Sequence, residues 1–244
     1  MADRVVVIGG GWSGCAAALA AHHAGARSVL LIERTDSLLG TGLVGGIMRN
    51  NGRFTATEEM AAMGAGALFE ICDELSVHRN FSFPGHEHAS LYDVVKIEPA
   101  VRRFLLEAGI DVRLVHRATK VSRSNGSITG ILMDDGRTIE GDVFVETTGS
   151  AGPQKNCKRY GSNCVMCVMR CPTFGARTSI SGLVGAEDRN GERADGSVGV
   201  MSGSCKLSKD SLSPELHERL DADGLIIVPL PRWLAEKNRA KLGA

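Results

Sequence analysis

The chain has 244 residues, of which 43 % are apolar, with 28 basic and 28 acidic side chains. That length suits one large domain or two small ones with a real core, and the balanced charge argues against the global positive field of a nucleic-acid-binding protein. No stretch reaches the roughly 18 apolar residues of a membrane span, and the first strand pattern starts at Arg4 with no room for a signal peptide, so a cytoplasmic protein is expected.

The predicted elements begin with the apolar, β-branched run Arg4–Ile8, the pattern of a buried parallel strand. An alanine-rich helix over residues 13–24 and a second buried strand, Ser28–Ile32, complete a β-α-β unit. Residues 35–53 are Gly-rich and read as loop, and residues 57–75 read as a helix with an alanine- and methionine-rich face. Residues 78–90, with Pro84, Gly85 and three histidines, read as an irregular excursion. Residues 94–108 have helical spacing, with Pro99 in the first turn and Gly109 as the stop. Residues 111–121 and Ser127–Met133 read as strands, Asp135-Gly136 as a hairpin turn, residues 137–140 as its return, and residues 142–147 as another buried strand. Beyond residue 150 the chain turns to Gly-, Ser- and Cys-rich loops, then a helix over 214–220, an apolar run over 225–230 and a basic helix. The expected fold class is α/β: a Rossmann-type domain with a parallel sheet over residues 1–150, with an excursion over 41–93 toward the substrate side. A loop-rich cysteine and docking region follows over 151–244. The two parts differ in charge, with 14 basic and 18 acidic residues in the first and 14 and 10 in the second.

Gly9-Gly10-Gly11-Trp12-Ser13-Gly14 places G-x-G-x-x-G between the first strand and the first helix. Gly9 permits the sharp turn, Gly11 lets the backbone approach a diphosphate, and Gly14 lets helix and strand pack closely. Ser13 opens the helix, whose N-terminal N–H groups favour phosphate. Glu33 ends the second strand 19 residues beyond Gly14, where an acid accepts ribose hydroxyls.

After Glu33 and Arg34 the chain runs Leu38-Leu39-Gly40-Thr41-Gly42-Leu43-Val44-Gly45-Gly46. With this second Gly-rich loop the sequence resembles the FAD-dependent oxidoreductase superfamily with a glutathione-reductase-like flavin domain, in the branch of the succinate dehydrogenase and fumarate reductase flavoproteins. The resemblance covers most of residues 3–150. It implies FAD, with Gly40, Thr41, Gly42, Gly45 and Gly46 following the diphosphate and ribityl chain. It also implies an adenine-contacting strand over 112–122 with Ala118 at the contact, and an apolar strand ending at Thr148-Gly149 beside the cofactor. Two departures stand out. Where the family often has acids after Thr-Gly, this chain has Ser150-Ala151-Gly152, and no later segment resembles the family's closing strand and helix. A companion subunit is therefore expected to complete the flavin pocket.

Cys157, Cys164, Cys167 and Cys171 form C-x6-C-x2-C-x3-C-P, whose end partly resembles a ferredoxin cluster loop. Residues 155–177 carry five basic residues and no acid, which lowers thiolate pKa values and balances a four-thiolate cluster. A [4Fe–4S] cluster is expected; a four-cysteine zinc site and a redox dithiol at Cys164 and Cys167 stay open as alternatives. Cys15 and Cys72 read as core residues.

A flavin dehydrogenase needs proton and charge handling beside the flavin. His86 and His88 are the candidates for proton shuttling, and Arg49 for clamping a substrate carboxylate, against the plainer reading of all three as solvated loop residues. His22, His23 and His116 read as structural. The expected function is an FAD-dependent oxidoreductase subunit passing electrons between a small organic substrate, flavin and cluster, with an acceptor protein or quinone downstream. Two other classes compete: a non-catalytic scaffold or electron-relay subunit stabilised by zinc, and thiazole-synthase-like nucleotide chemistry, since Thr-Thr-Gly-x-x-Gly-Pro over 147–153 resembles that family too.

Overall fold

A computed structural model describes residues 4–45, 47–49, 64, 66–83, 86–149, 171–186, 214 and 218. The chain divides into two compact units, Met1–Gly203 and Ser204–Ala244. In the second, the described residues Pro214 and Glu218 are helical and exposed. The predicted boundary at residue 150 and the predicted helices and apolar run after residue 218 fall outside the described residues.

The centre of the first unit is a parallel sheet of four strands, β1 (Arg4–Ile8), β2 (Ser28–Ile32), β6 (Asp111–Arg113) and β10 (Val143–Glu146), in the order β10-β1-β2-β6. This is the α/β fold with a parallel sheet that the patterning predicts. Because successive strand residues face opposite sides, the continuous apolar runs of β1 and β2 feed two separate cores. Val5, Val7, Val29 and Leu31 pack with helices α1 (Trp12–His23), α3 (Gly66–Glu74) and α4 (Ile97–Glu107). On the other side Val6, Ile8, Leu30 and Ile32 pack with an antiparallel meander, β7 (Ala118–Ser124), β8 (Ser127–Met133) and β9 (Thr138–Glu140), through Ala118, Ile131, Met133 and Ile139. The meander thus serves as the crossover from β6 to β10.

Helix α4 buries Ile97, Val101 and Leu105 at a spacing of four, one stripe of its surface. It begins later than the spacing predicts. The Asp93 carboxylate accepts the Val95 and Lys96 N–H groups at 2.9 and 3.3 Å, making a separate turn and leaving Val94 and Val95 exposed outside the helix. Gly109, at φ +83°, ends the helix as expected.

Other predicted elements are corrected. Residues 111–121 are two strands: the chain breaks at Val115, whose φ of +59° bends it out of the parallel sheet before β7 enters the meander. The described residues of 78–90 are not irregular: β4 (Ser76–Phe83) and β5 (His86–Tyr92) pair antiparallel, with Phe83 opposite His86. A third strand, β3 (Ile47–Arg49), lies on the free side of β5, and a short helix, α2 (Gly40–Gly45), forms within the Gly-rich stretch predicted as loop. Of the helix predicted over 57–75, the described part is Gly66–Glu74. Among the described residues β10 is an edge strand rather than a fully buried one, with Val143 47 % exposed. No helix among the described residues is long and apolar enough to cross a membrane.

Leu31 is fully buried between sheet and helices. Leu31→Ala should destabilise by about 2–5 kcal/mol through lost transfer energy and the cavity left behind, whereas Leu106→Ala, at a half-exposed position, should stay within about 0.5 kcal/mol. Denaturant unfolding of both variants checks the contrast.

Candidate functional site

A cleft of about 230 Å³ opens where β1, β2 and β10 end. Here the strand order changes direction from β2 to β10 around β1, the place where open α/β sheets bind ligands. Three glycines shape its floor in three ways. Gly9 sits at φ +108°, and a Cβ there would stand 2.3 Å from the Thr147 carbonyl oxygen. A Cβ at Gly14 would lie 1.8 Å from the Gly9 carbonyl oxygen, so this position brings helix and strand together. At Gly11 a Cβ would meet no atom within 4 Å; the space it would fill belongs to the cleft. Helix α1 starts at this turn with no side-chain cap, leaving its positive end available to an anion. The residues therefore fit a dinucleotide diphosphate on geometry as well as on pattern.

Glu33, 7 % exposed, accepts the Gly10 N–H at 2.7 Å on Oε2. Its Oε1 accepts the Thr35 N–H and hydroxyl at 2.8 and 2.9 Å. An ionised carboxylate offers about four acceptor positions, so one is left. The Thr35 hydroxyl also lies 2.9 Å from the Ser37 carbonyl oxygen and has one proton to give. Turned to Ser37, it leaves Glu33 two open positions, enough for the pair of ribose hydroxyls.

The second Gly-rich loop is fixed from above and below. Leu39 N–H donates to the Gly10 carbonyl at 2.7 Å, and Leu39 holds φ +71° while fully buried. That conformation is costly for a leucine, about 1–3 kcal/mol, and such strain concentrates at binding sites. A Cβ at Gly42 would stand 2.2 Å from the Trp12 ring. Trp12 Nε1 donates to the Tyr92 hydroxyl at 3.3 Å, and that hydroxyl donates to the Gly42 carbonyl. Burial pushes the Tyr92 phenol up to about 12 against the Trp12 hydrogen bond, so it keeps the proton it donates. Burial likewise pushes the Cys15 thiol up to about 12, and Cys15 donates weakly to the Gly10 carbonyl at 3.5 Å, a packing residue as predicted.

The far walls come from β7, the turn after β10 and residues 175–178. Thr147 Oγ1 lies 3.0 and 2.7 Å from the Ile8 and Gly9 carbonyl oxygens, sharing its proton between them. Glu146 accepts the Thr148 hydroxyl at 2.6 Å, the Ser181 N–H at 2.6 Å and the Ser181 hydroxyl, with Arg177 Nη2 at 3.5 Å. Burial works to raise the Glu146 carboxyl, but the hydrogen bonds from Ser181, Thr148 and Ser179 outweigh it and hold the pKa below its ordinary value.

Of the residues expected at the cofactor, Gly9, Gly11, Ser13, Glu33, Arg34 and Gly40 line the cleft, as do Thr41, Gly42, Ala118, Thr148 and Gly149. Gly14 lies behind it as a packing position, Gly45 ends α2, and Gly46 is outside the described residues. Trp12, His116, Arg117, Arg177 and Thr178 also line the cleft, though the sequence reading does not assign them to the cofactor. His116, read from the sequence as structural, stands at the cleft. Its Nδ1 is 2.7 Å from the Leu114 carbonyl oxygen and its Nε2 is 2.7 Å from Arg137 Nη2, so Nδ1 carries the proton and Nε2 accepts. Arg117 Nε is buried without a hydrogen-bond partner among the described residues, its ion pair with Asp134 at 3.7 Å being too long for one. No pattern marks these residues, because it is the bend at Val115 and the return of residues 175–178 that carry them to the cleft.

His86 and His88 lie on β5 and Arg49 ends β3, beside it and paired with Ser90; their side chains are outside the described residues. So are Cys157, Cys164, Cys167 and the side chain of Cys171, which opens a short helix α5 (Cys171–Phe174). Among the described residues no cluster of His, Cys, Asp and Glu could hold a metal ion.

A family model described as glucose inhibited division protein A matches residues 4–222. Among solved structures, the chain is similar to the Diels-Alderase PyrE3 of pyrroindomycin biosynthesis, at 21 % identity over 62 % of this chain and 33 % of that one, with a TM-score of 0.46. It is similar to CtdE in complex with FAD at 21 % identity over 62 % and 39 %, TM-score 0.45. It is also similar to Aquifex aeolicus GidA, at 19 % identity over 60 % and 25 %, TM-score 0.45. The chain thus spans 25–39 % of the length of these structures.

Two expected outcomes follow from this geometry. Gly11→Val should purify folded but without FAD, while Gly14→Ala should lower the melting temperature because its Cβ has no room; flavin absorbance and thermal melts read both. Glu146 stabilises through its charged form with a lowered pKa, so its contribution is complete above the ordinary carboxylate value and disappears as pH falls through the depressed one. Melting temperatures from pH 7 down to 3 should fall more for the native chain than for Glu146→Gln.

Proposed function

The chain belongs to the glucose inhibited division protein A family, an FAD-binding, oxidoreductase-like family, and we propose that it is an FAD-dependent oxidoreductase subunit that moves electrons between a small organic substrate, flavin and a [4Fe–4S] cluster on Cys157, Cys164, Cys167 and Cys171. The observation that carries this reading is the open space at Gly11 facing Glu33 across one cleft. The Gly11 turn and the positive end of α1 hold the diphosphate, Glu33 takes the ribose hydroxyls, and Ala118 and Thr148-Gly149 form the walls. His86 and His88 exchange the substrate's proton, and Arg49 orients its carboxylate. Bound FAD supplies reversible two-electron chemistry, and a cluster supplies single-electron relay to an acceptor protein or quinone.

The described residues on either side of the cysteine run support the cluster's place in this scheme. Gly149 before it and Arg177 after it both line the cleft. Three helical steps from Cys171 to Phe174 and three further residues to Arg177 span at most roughly 15 Å. The donor set suits a cluster as well: four thiolates among five cations and no acid over 155–177. A companion subunit that completes the flavin pocket is part of this proposal, and native sizing with mass identification of every chain tests that part.

Anaerobically purified protein should show the flavin bands with a broad cluster shoulder, and contain iron and acid-labile sulfide. Cys164→Ser, Cys167→Ser or Cys171→Ser should lose iron and keep FAD, because the two sites come from different segments. Zinc without sulfide would overturn the cluster and favour the scaffold reading.

A further inference from the structure

Three arginines line the cleft, and they divide by position. Arg34 and Arg117 both stand at Gly175. Arg34 Nη1 donates to its carbonyl oxygen at 2.5 Å, and a Cβ on Gly175 would lie 2.6 Å from Arg117 Nε. They therefore gather on the side of the cleft formed by β7, next to Ala118. Arg177 stands elsewhere. Its Nε donates to the Thr148 carbonyl oxygen at 3.2 Å, its side chain is 9 % exposed, and Nη2 is 3.5 Å from Glu146. Thr148 belongs to the turn that presses on Gly9 so closely that a Cβ at Gly9 would touch both Thr147 and Thr148 backbone atoms within 3 Å. Arg177 thus shares a wall with the glycine turn itself.

A planar guanidinium binds phosphate through two parallel N–H groups, and a diphosphate brings two negative charges to a turn whose helix end supplies only about half a positive one. Burying an arginine to this degree is expensive unless its charge is answered on more than one side. Glu146 answers it from behind, and its other hydrogen bonds, to the Ser181 N–H and hydroxyl, tie the following helix α6 (Ile180–Leu183) to the end of β10. The carboxylate so fixes both ends of residues 177–181.

We propose that Arg177 binds the diphosphate of the dinucleotide, and that Glu146 is a positioning residue that holds Arg177 and its segment against the cleft. This rests on the proposed dinucleotide site and adds a cation contributed by the chain beyond the cysteine run. Occupation of the cleft and the placement of that run are then linked, because the residue that meets the phosphates lies six positions after Cys171.

The test is titration of FAD into flavin-free whole protein, followed by flavin fluorescence at several potassium chloride concentrations. Arg177→Met should weaken FAD binding by roughly tenfold to a hundredfold, the range for a hydrogen bond to a charged group, and should flatten the salt dependence. Arg177→Lys should keep the salt dependence and recover part of the affinity. Glu146→Gln should weaken binding less and leave the salt response intact, since the cation stays. Affinity within twofold of the native chain for Arg177→Met would overturn the proposal. So would a loss of affinity with an unchanged salt response, which marks a merely structural arginine. Failure of the native chain to bind FAD would instead remove the underlying site, and the two failures are told apart in the same titration.

Discussion

At the end of β1 the backbone runs against itself with no room for side chains. A Cβ at Gly9 would collide with Thr147, and one at Gly14 with the carbonyl of Gly9. These two missing atoms let α1 begin on the strand's own end and let the turn after β10 close from the other side. Thr147 then bonds to the Ile8 and Gly9 carbonyls, and the cleft lies between. Enlarging either glycine would push α1 or β10 outward and separate the Gly11 turn from Glu33. A diphosphate site of this kind needs backbone at close range, and steric exclusion at neighbouring positions provides it.

Carboxylates then fix the loops that the glycines bring together. Glu33 accepts the N–H of Gly10, Glu98 that of Leu38 at 3.1 Å, and Glu146 that of Ser181. The first two join a strand or helix to a loop and are buried, and the third joins the end of β10 to helix α6. A charge-assisted hydrogen bond to backbone is about twice as strong as a neutral one, and leaving such a charge unpaired costs several kcal/mol. The loops consequently have few alternative positions. Strain at Leu39 is sustained by the same arrangement, with Leu38 and Leu39 buried beneath the loop and Glu98 holding the Leu38 N–H.

The meander over the second face of the sheet matters to the site as well as to the core. Its first strand starts where Val115 turns the chain out of the parallel sheet, with Val115 N–H bonded to Thr35 and His116 N–H to Glu33 carbonyls. That bend places His116, Arg117 and Ala118 along the cleft in succession. A helical crossover would cover the same apolar face but would not lay an extended backbone beside the nucleotide.

What the sequence by itself determined is local and repetitive. The apolar runs of β1 and β2, the glycine turn, Glu33 at the second strand's end and the hairpin at Asp135-Gly136 each follow from spacing within a few residues, where sterics and periodicity leave one solution. The helix starting at Ile97 was legible to within a turn, its start moved only by Asp93. Residues 78–90 read as an irregular excursion rather than as paired strands, because the pairing of β4 with β5 depends on partners across the strand and on β3 beyond. Tertiary structure alone decided the rest. Arg177 lies 144 residues from Glu33 in the chain, yet both line one cleft, and no periodicity relates them. The break at Val115 requires a left-handed residue that valine disfavours, so it is imposed by the sheets on either side. Long-range closeness of this kind is set by how the layers stack, and single-residue preferences carry no record of it.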